Sequence, residues 1–211
     1  MSIELKDNKK ACILRAAEQE FMQKGFDGAR MVEIAKRAGV GHPLLHYHFH
    51  TKEELFHSVV NEKMGVLRQS VQIPLEDSSE PLCDRLAKAI ECHYDFVREN
   101  ISYIRFMLNE MVNQPQLFEP IAREAYEKVD AVAGILQQEL DAAAARGEMA
   151  RMEAKMLLED IITLNVSCFL LRPIVEKISP HYQDGDYSER RKQENVNLII
   201  GRLKCQSEAS K

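Results

Sequence analysis

Four of the chain's seven histidines lie close together, at His42, His46, His48 and His50. His42 and His46 are four residues apart, so on a helix they share one face, as paired zinc ligands do. No carboxylate or thiolate placed to complete a metal site is close by in the sequence, so we expect no metal ion there. On one helix face, these side chains can instead contact base edges or phosphates of a nucleic acid. Partial protonation would add positive charge, which predicts tighter nucleic-acid binding at pH 6 than at pH 8.

The histidines belong to a pattern of two short helices that meet at a glycine. The first helix is indicated by small and apolar residues at helical spacing, namely Met31, Ile34, Ala35 and Ala38. Gly39 then interrupts the pattern, and glycine adopts the left-handed backbone conformation that ends many helices. The second helix directs Leu45 and Phe49 toward the core. Two helices joined by a tight turn containing glycine form a helix-turn-helix, whose second helix can enter the major groove of DNA.

A set of short motifs between residues 7 and 67 carries a family resemblance. The motifs are Ile13-Leu14-x-Ala16-Ala17 with Phe21, then Gly25-Phe26, Ile34-Ala35, Ala38-Gly39-Val40, Leu45, Tyr47-x-Phe49 and Lys52-Glu53-x-Leu55-Phe56. Together they resemble the N-terminal domain of the tetracycline-repressor-like (TetR) transcriptional regulators. The resemblance implies an all-helical, dimeric, ligand-responsive repressor in a bacterial cytoplasm.

Several positions depart from the family pattern. Gly41 stands where the family has a hydroxyl residue that caps the recognition helix, and glycine costs only a few tenths of a kcal/mol there. Leu44 replaces a small residue and His46 replaces a tyrosine. Leucine can contact a thymine methyl group but forms no hydrogen bond. We expect the fold to be retained and the operator sequence to differ from the family's usual one.

The helix-turn-helix provides two groups of candidate DNA contacts. The residues expected at base edges or the groove floor are His42, Pro43, Leu44 and His46. The residues expected at phosphates are Arg30, Tyr47, His48 and Lys52. Phosphate contacts set the position of the protein and base contacts set the sequence that it reads.

The distribution of charge agrees with a nucleic-acid partner. The whole chain has a net charge of −5, whereas residues 1–68 carry 11 Lys and Arg against 9 Asp and Glu, and hold five of the seven histidines. The remaining residues therefore carry a net charge of −7. A basic N-terminal part on an acidic body suits a protein that faces phosphates with one end.

Other classes of protein are not supported by the sequence. The five cysteines are scattered and form no CxxC pair, which argues against a disulfide framework or a zinc site. Glu54 and His57 have the Glu-x-x-His spacing of di-iron bundles, but a second such motif is absent. No phosphate-binding glycine loop, GxSxG or HExxH motif occurs. We therefore expect neither an enzyme nor a cofactor. The most apolar run, residues 156–175, contains three charges and a proline, which favours a buried helix over a membrane span.

The pattern predicts an all-α chain with two domains. The predicted domains are a helix-turn-helix DNA-binding domain at 1–68, with its helix-turn-helix at about 30–49, and a larger helical effector-binding and dimerisation domain at 69–211. We expect helices at 53–68, 82–99, 101–113, 151–178 and 187–204, with a proline-bounded linker at 72–81. Thr51 and Glu54 are spaced as a capping box at the start of the helix at 53–68. Pro173 is expected to kink the helix at 151–178 near its end.

The C-terminal domain is expected to bind a small-molecule effector between its helices, where apolar walls and a few polar groups combine. The candidate lining residues are His93, Tyr94, Tyr103, Met107, Met111, Asn113, Phe118, Tyr126, Asn165, Cys168 and Phe169. The sequence does not identify the effector.

Two late helices with wide apolar faces predict a homodimer, as the family resemblance also implies. The candidate interface residues are Val166, Leu170, Val196, Ile199, Ile200 and Leu203. Two-fold symmetry would let two recognition helices read a palindromic operator. The alternatives are that these faces are buried within a monomer, and that the chain is a helical ligand-binding or scaffold protein whose helix-turn-helix contacts protein.

Overall fold

The computed structural model describes residues 2–178 and 186–204, with side chains from residue 8 onward. Within these residues every regular element is a helix, which confirms the predicted all-α class. The helices are α1 (Ser2–Gly28), α2 (Met31–Arg37), α3 (His42–His48), α4 (Lys52–Glu76), α5 (Leu82–Glu99), α6 (Ile101–Asn113), α7 (Pro115–Ala145), α8 (Ala154–Leu170), α9 (Arg172–Ile178) and α10 (Tyr187–Lys204).

The linker predicted at 72–81 is wrong for its first half, because α4 continues through Pro74 to Glu76. Proline removes one helical hydrogen bond and normally ends a helix. Here the last turn of α4 is held by tertiary contacts. The side chain of Leu75 packs against a buried apolar cluster, and its carbonyl accepts a hydrogen bond from the buried guanidinium of Arg85.

The helix predicted at 151–178 begins later, at Ala154, and the interruption expected near Pro173 is present, where the helix divides into α8 and α9 at Leu171. Pro173 lies in the first turn of α9. A proline ring clashes with the carbonyl four residues earlier and has no N–H to donate, so a continuous helix is unfavourable at this point. The turn is stabilised where Leu171 N–H donates to Ser167 O at 3.0 Å.

The chain forms two compact units. The first comprises Met1–Val66 and Ser102–Arg123, and the second comprises Leu67–Ile101 and Glu124–Lys211. Helix α6 therefore packs with the N-terminal helices, although the sequence reading places it in the C-terminal domain. The functional boundary at 68/69 stays a prediction.

Each unit has its own apolar core. In the first unit Phe56 of α4 lies at the centre of an aromatic group, with ring centroids 5.3 Å from Phe21, 5.4 Å from Phe26 and 5.7 Å from Phe118. Such edge-to-face pairs are worth about 0.5–1.5 kcal/mol beyond area burial. The core of the second unit is built from α5, α7, α8 and α10. Across the described ranges we find no helix with both the length and the apolar character needed to cross a bilayer.

Candidate nucleic-acid interface

The turn between α2 and α3 is a complete Schellman motif. Gly39 has φ +65°, its N–H donates to Lys36 O at 3.2 Å, and Val40 N–H donates to Ala35 O at 3.0 Å. These two bonds satisfy carbonyls at the end of α2 that have no partner within the helix. The positive φ confirms the role predicted for Gly39. The turn thus has a defined geometry that sets the direction of α3.

The inner side of α3 is fixed in the core of the first unit. Leu45 is 0% exposed and Phe49 is 2% exposed, which confirms the prediction that both side chains face the core. Helix α2 contributes Ile34 and Ala35 to the same cluster, and Val40 packs against it from the turn. Helix α3 is only seven residues long, too short to be stable alone, so its conformation depends on this packing.

A buried ion pair ties α2 to α1. Glu20 of α1 is fully buried, and its carboxylate accepts hydrogen bonds from Lys24 Nζ at 2.6 Å and from Arg37 Nη2 at 3.1 Å. The hydrogen bond from Lys24 is the main cause of a lowered Glu20 pKa, and Arg37 adds to it. The sequence reading missed Glu20, because a glutamate at this position of an amphipathic helix is indistinguishable from a solvent-exposed one.

The outer side of α3 exposes the residues predicted to read bases. His42, Pro43, Leu44 and His46 are all exposed, and the two imidazole rings contact edge to face at 4.5 Å between centroids. Pro43 lies in the first turn after the N-cap residue Gly41, where its missing N–H would have had no helical partner. This face offers two imidazoles and two apolar side chains with no acidic group among them.

The four residues predicted to contact phosphates lie in different environments. Arg30, the N-cap residue of α2, is exposed, and so is Tyr47, at 64%. His48 is half-buried, and its Nε2 has no hydrogen-bond partner among the described residues. Lys52 is half-buried, and its Nζ donates to Asp27 O and Ala29 O, both at 3.3 Å. An ammonium group has three donors, so Lys52 has one N–H left for a phosphate.

The start of α4 follows the predicted capping box with one change. Glu54 N–H donates to Thr51 Oγ1 at 3.0 Å, as expected, whereas the Glu54 carboxylate accepts from His50 N–H at 2.8 Å rather than from Thr51 N–H. One backbone N–H of the connection from α3 to α4 and one of the first turn of α4 are thereby satisfied. Across the described residues, no group of three or more His, Cys, Asp or Glu side chains is arranged to hold a metal ion.

The candidate effector residues fall into three settings. Tyr103, Met107 and Phe118 belong to the first unit, where Phe118 and Tyr103 are buried and Met107 packs against the core. Met111, Asn113 and Tyr126 are exposed side chains. The remaining candidates, all in the second unit, are His93, Tyr94, Asn165, Cys168 and Phe169.

Two of the second-unit candidates, His93 and Asn165, contact each other, and Asn165 is also hydrogen-bonded to Asn195, a residue that was not among the predicted candidates. Asn165 Nδ2 lies 3.1 Å from His93 Nδ1 and donates to Ile90 O at 3.1 Å. Asn195 Nδ2 donates to Asn165 Oδ1 at 2.8 Å. Both asparagines are 0% exposed, and Asn195 Oδ1 has no hydrogen-bond partner among the described residues. Burial lowers the pKa of His93 to about 4, so its imidazole is neutral at pH 7.

The two aromatic candidates of the second unit contact each other. The Tyr94 ring lies 4.9 Å from the Phe169 ring, and Tyr94 OH donates to Ser188 O at 2.8 Å. A surface cavity elsewhere in the second unit is lined by Ala150, Arg151, Met152, Glu153, Met156 and Arg202. None of the candidate effector residues contributes to it.

The predicted dimer interface is wrong for its four residues on α10. Val196, Ile199, Ile200 and Leu203 are at most 8% exposed, because they form part of the core of their own unit. A side chain buried within the protomer is not available to a partner. Val166 and Leu170 of α8 are half-buried and stay candidates. Ile162 on α8 and Leu198 on α10 are each 49% exposed and were not among the predicted residues, since helical periodicity does not show which apolar face turns inward.

The chain is similar to one protein family and to several individual proteins. The family model described as bacterial regulatory proteins, tetR family, matches residues 13–59. The transcriptional activator FasR of Mycolicibacterium smegmatis is 30% identical over 145 residues, which are 68% of this chain and 66% of FasR. The transcriptional repressor SCO4008 of Streptomyces coelicolor is 36% identical over 90 residues, 42% of this chain and 46% of that protein. The chain thus matches between about half and two thirds of the length of these relatives.

Among solved structures, the fatty acid degradation regulator FadR from Bacillus halodurans is similar with a TM-score of 0.67. The two sequences are 17% identical, and the match covers 92% of this chain and 98% of that one. This likeness concerns the fold.

Proposed function

The chain belongs to the tetR family of bacterial regulatory proteins, and from that premise we propose that it is a transcriptional regulator that binds a palindromic DNA operator as a homodimer. We further propose that it is a repressor and that a small-molecule effector releases it from the operator. The observation that carries the proposal is the two-sided character of α3. Its inner residues are buried in the core, and its outer residues form an exposed face free of acidic groups.

The outer face of α3 would supply the sequence discrimination. Neutral imidazole has one donor and one acceptor nitrogen, so His42 and His46 can hydrogen-bond to base edges. Leu44, which is 36% exposed, would contact a thymine methyl group. Arg30, Tyr47, His48 and the remaining N–H of Lys52 would contact phosphates and so set the register of the protein on the duplex.

Dimerisation would use the faces of α8 and α10 that the protomer leaves open. Ile162, Val166 and Leu170 repeat every four residues along α8, so they lie on one side of the helix. Leu198 of α10 adds an exposed apolar side chain in the same unit. Burial of these side chains between two copies would stabilise the homodimer that a palindromic operator requires.

The buried group of His93, Asn165 and Asn195 supports the proposed effector site. Polar side chains are seldom fully buried without a complete set of partners, and the Asn195 carbonyl oxygen is an acceptor with none among the described residues. An effector with a hydrogen-bond donor and an apolar body would satisfy that oxygen and contact Tyr94 and Phe169. A coupling of about 1–3 kcal/mol between the two sites would lower operator affinity roughly 5–150-fold.

The test is binding of fluorescent duplexes that tile the region upstream of the protein's own gene, measured by anisotropy over a range of salt concentrations. We expect one duplex to bind more tightly than its scrambled version, with an affinity that falls as salt rises. Binding that ignores both salt and sequence would refute the proposal and favour a protein partner for the helix-turn-helix.

Matched variants assign the two kinds of contact. Arg30→Ala removes an exposed side chain that makes no cap hydrogen bond, so it should weaken binding to operator and scrambled duplex alike, whereas His42→Ala and His46→Ala should reduce the preference between them. A good bidentate contact to a base is worth about 1–3 kcal/mol of discrimination, so we expect the single hydrogen bond of an imidazole to lie near the low end of that range, about fivefold in relative affinity. Lys128→Ala is the control, since this exposed lysine of α7 pairs with Glu124, and both residues belong to the second unit, which does not contain the helix-turn-helix. A histidine variant with unchanged preference would remove that residue from the base-reading set.

A further inference from the structure

A buried glutamate that lies far along the chain from the helix-turn-helix contacts the segment leading into it. Helix α1 is interrupted at Gly25, which has φ 71° and ψ 173°. In an uninterrupted helix the next N–H, that of Phe26, would donate to the carbonyl four residues earlier. Phe26 N–H donates instead to Glu110 Oε2 of α6 at 3.3 Å, across 84 residues of sequence.

Glu110 fits closely around this break. Glu110 is 6% exposed, and its Oε1 lies 3.1 Å from the position that a Cβ on Gly25 would occupy. A buried carboxylate is costly unless it is hydrogen-bonded, and a buried N–H is costly unless it has an acceptor. The contact therefore gives the buried N–H an acceptor and the buried carboxylate a donor, and a side chain at position 25 would crowd the carboxylate.

Residues 25–29, here called the 25–29 corner, are held from two sides. From α6, Glu110 accepts from Phe26 N–H, and Gln114, which follows α6, donates from its side-chain amide to the Asp27 carboxylate. From α4, Lys52 donates to the carbonyls of Asp27 and Ala29, and its ammonium lies 4.5 Å from the centroid of the Phe26 ring.

The corner is directly joined to the DNA-reading helices. Arg30, which follows it, is the N-cap residue of α2, and its carbonyl accepts from Ile34 N–H at 3.0 Å. A displacement of the corner therefore moves the start of α2, and with it the turn at Gly39 that directs α3. Such a displacement would weaken DNA recognition, because contacts to base edges require correct hydrogen-bond geometry.

We propose that Glu110 is a positioning residue for DNA recognition, which acts by holding the 25–29 corner through Phe26 N–H. The inference rests on the proposed DNA-binding function. Glu110 reads no DNA itself. Its carboxylate makes operator affinity depend on the position of α6, a helix that lies outside the helix-turn-helix in sequence.

The test compares two replacements of Glu110. Glu110→Met keeps the length of the side chain and removes the acceptor, whereas Glu110→Gln keeps an oxygen that can accept from Phe26 N–H. We expect Glu110→Met to weaken operator binding about tenfold, the size expected for losing a hydrogen bond to a charged group, and Glu110→Gln to restore most of the loss. Glu119→Met, an exposed glutamate on α7, is the matched control and should bind as the wild type does.

Two measurements separate positioning from a general loss of stability. Affinities are measured at a temperature at which calorimetry shows every variant to be folded, and hydrogen–deuterium exchange is followed at residues 25–29. We expect faster exchange at the corner in Glu110→Met and wild-type exchange in Glu110→Gln. Wild-type affinity in folded Glu110→Met would overturn the positioning role alone. If the wild type does not distinguish any upstream duplex from its scrambled version, the proposed function is refuted and the positioning role falls with it.

Discussion

Replacing Gly39 with alanine measures how much a side chain at the left-handed position of the turn lowers the free energy of unfolding. The backbone of Gly39 is left-handed, with φ +65°, and a Cβ at this position would meet no heavy atom within 4 Å. Steric contact with neighbours therefore contributes nothing, and the cost is the strain of an L-residue in this conformation, about 1–2 kcal/mol. Alanine also reduces the freedom of the unfolded chain, which offsets part of that strain. We expect a net destabilisation of about 1 kcal/mol.

Gly65 provides a control of opposite sign in the same compact unit. It lies within α4, its φ is not positive, and a Cβ there would also meet nothing within 4 Å. Alanine in a helix interior is favoured over glycine by about 0.5–1 kcal/mol, so Gly65→Ala should stabilise the unit. Gly39→Asn should lose less than Gly39→Ala, because asparagine tolerates the left-handed conformation better than alanine does.

The assay is urea denaturation followed by circular dichroism, with the protomer concentration held constant, because association changes apparent stability. Gly39→Ala and Gly65→Ala should differ by about 1.5–2 kcal/mol in the free energy of unfolding, taken from the two estimates above. If Gly39→Ala were as stable as Gly65→Ala, the turn would not be left-handed. The Schellman geometry that directs α3, and the reasoning built on it, would then be wrong.

Two further predictions concern the second unit. Burial holds the pKa of His93 at about 4, below its ordinary value of 6.5, so this histidine binds a proton more readily in the unfolded chain. Its contribution to the free energy of unfolding is therefore fully present above pH 6.5 and is lost as the pH decreases toward 4. In His93→Asn the side-chain carbonyl can replace the ring nitrogen that contacts Asn165. This variant should lose about 2 kcal/mol less unfolding free energy between pH 7 and pH 5 than the wild type does, as measured by urea denaturation. An equal loss in both proteins would contradict the buried neutral imidazole. Ile162→Glu should shift the mass found by light scattering from twice 24.2 kDa toward the monomer, whereas Ile135→Glu, at an exposed position of α7, should leave a dimer. A wild-type protein that scatters only as a 24.2 kDa species would refute the dimer itself.

The helix-turn-helix was predictable because its determinants are local. A glycine at a helix end, a capping threonine and apolar residues at helical spacing each act within one or two turns of chain. The turn at Gly39, the inward side of α3 and the cap at Thr51 accordingly agree with prediction. Even here, the partner of Glu54 is His50 N–H rather than Thr51 N–H, a difference of one residue that spacing alone does not resolve.

The errors arise where a distant residue overrides a local signal. Pro74 lies in the linker predicted at 72–81, yet α4 continues to Glu76, where Arg85 donates a hydrogen bond to the carbonyl of Leu75. The four apolar residues of α10 read as an interface, yet they are buried in their own unit. An amphipathic pattern shows that a face must be covered, and it does not show by which neighbour.

The sequence by itself determined the helical class, the place of the helix-turn-helix and the kinds of side chain that face outward from α3, because helix periodicity and end signals are properties of neighbouring residues. Only the tertiary structure decided that α6 packs with the N-terminal helices and that Glu20 and Glu110 are buried in the first unit. It also decided that the side chains of His93, Asn165 and Asn195 are in hydrogen-bonding contact. These contacts join residues separated by 17 to 84 positions. Such contacts depend on how whole helices pack against one another, which the pattern of any single helix leaves open.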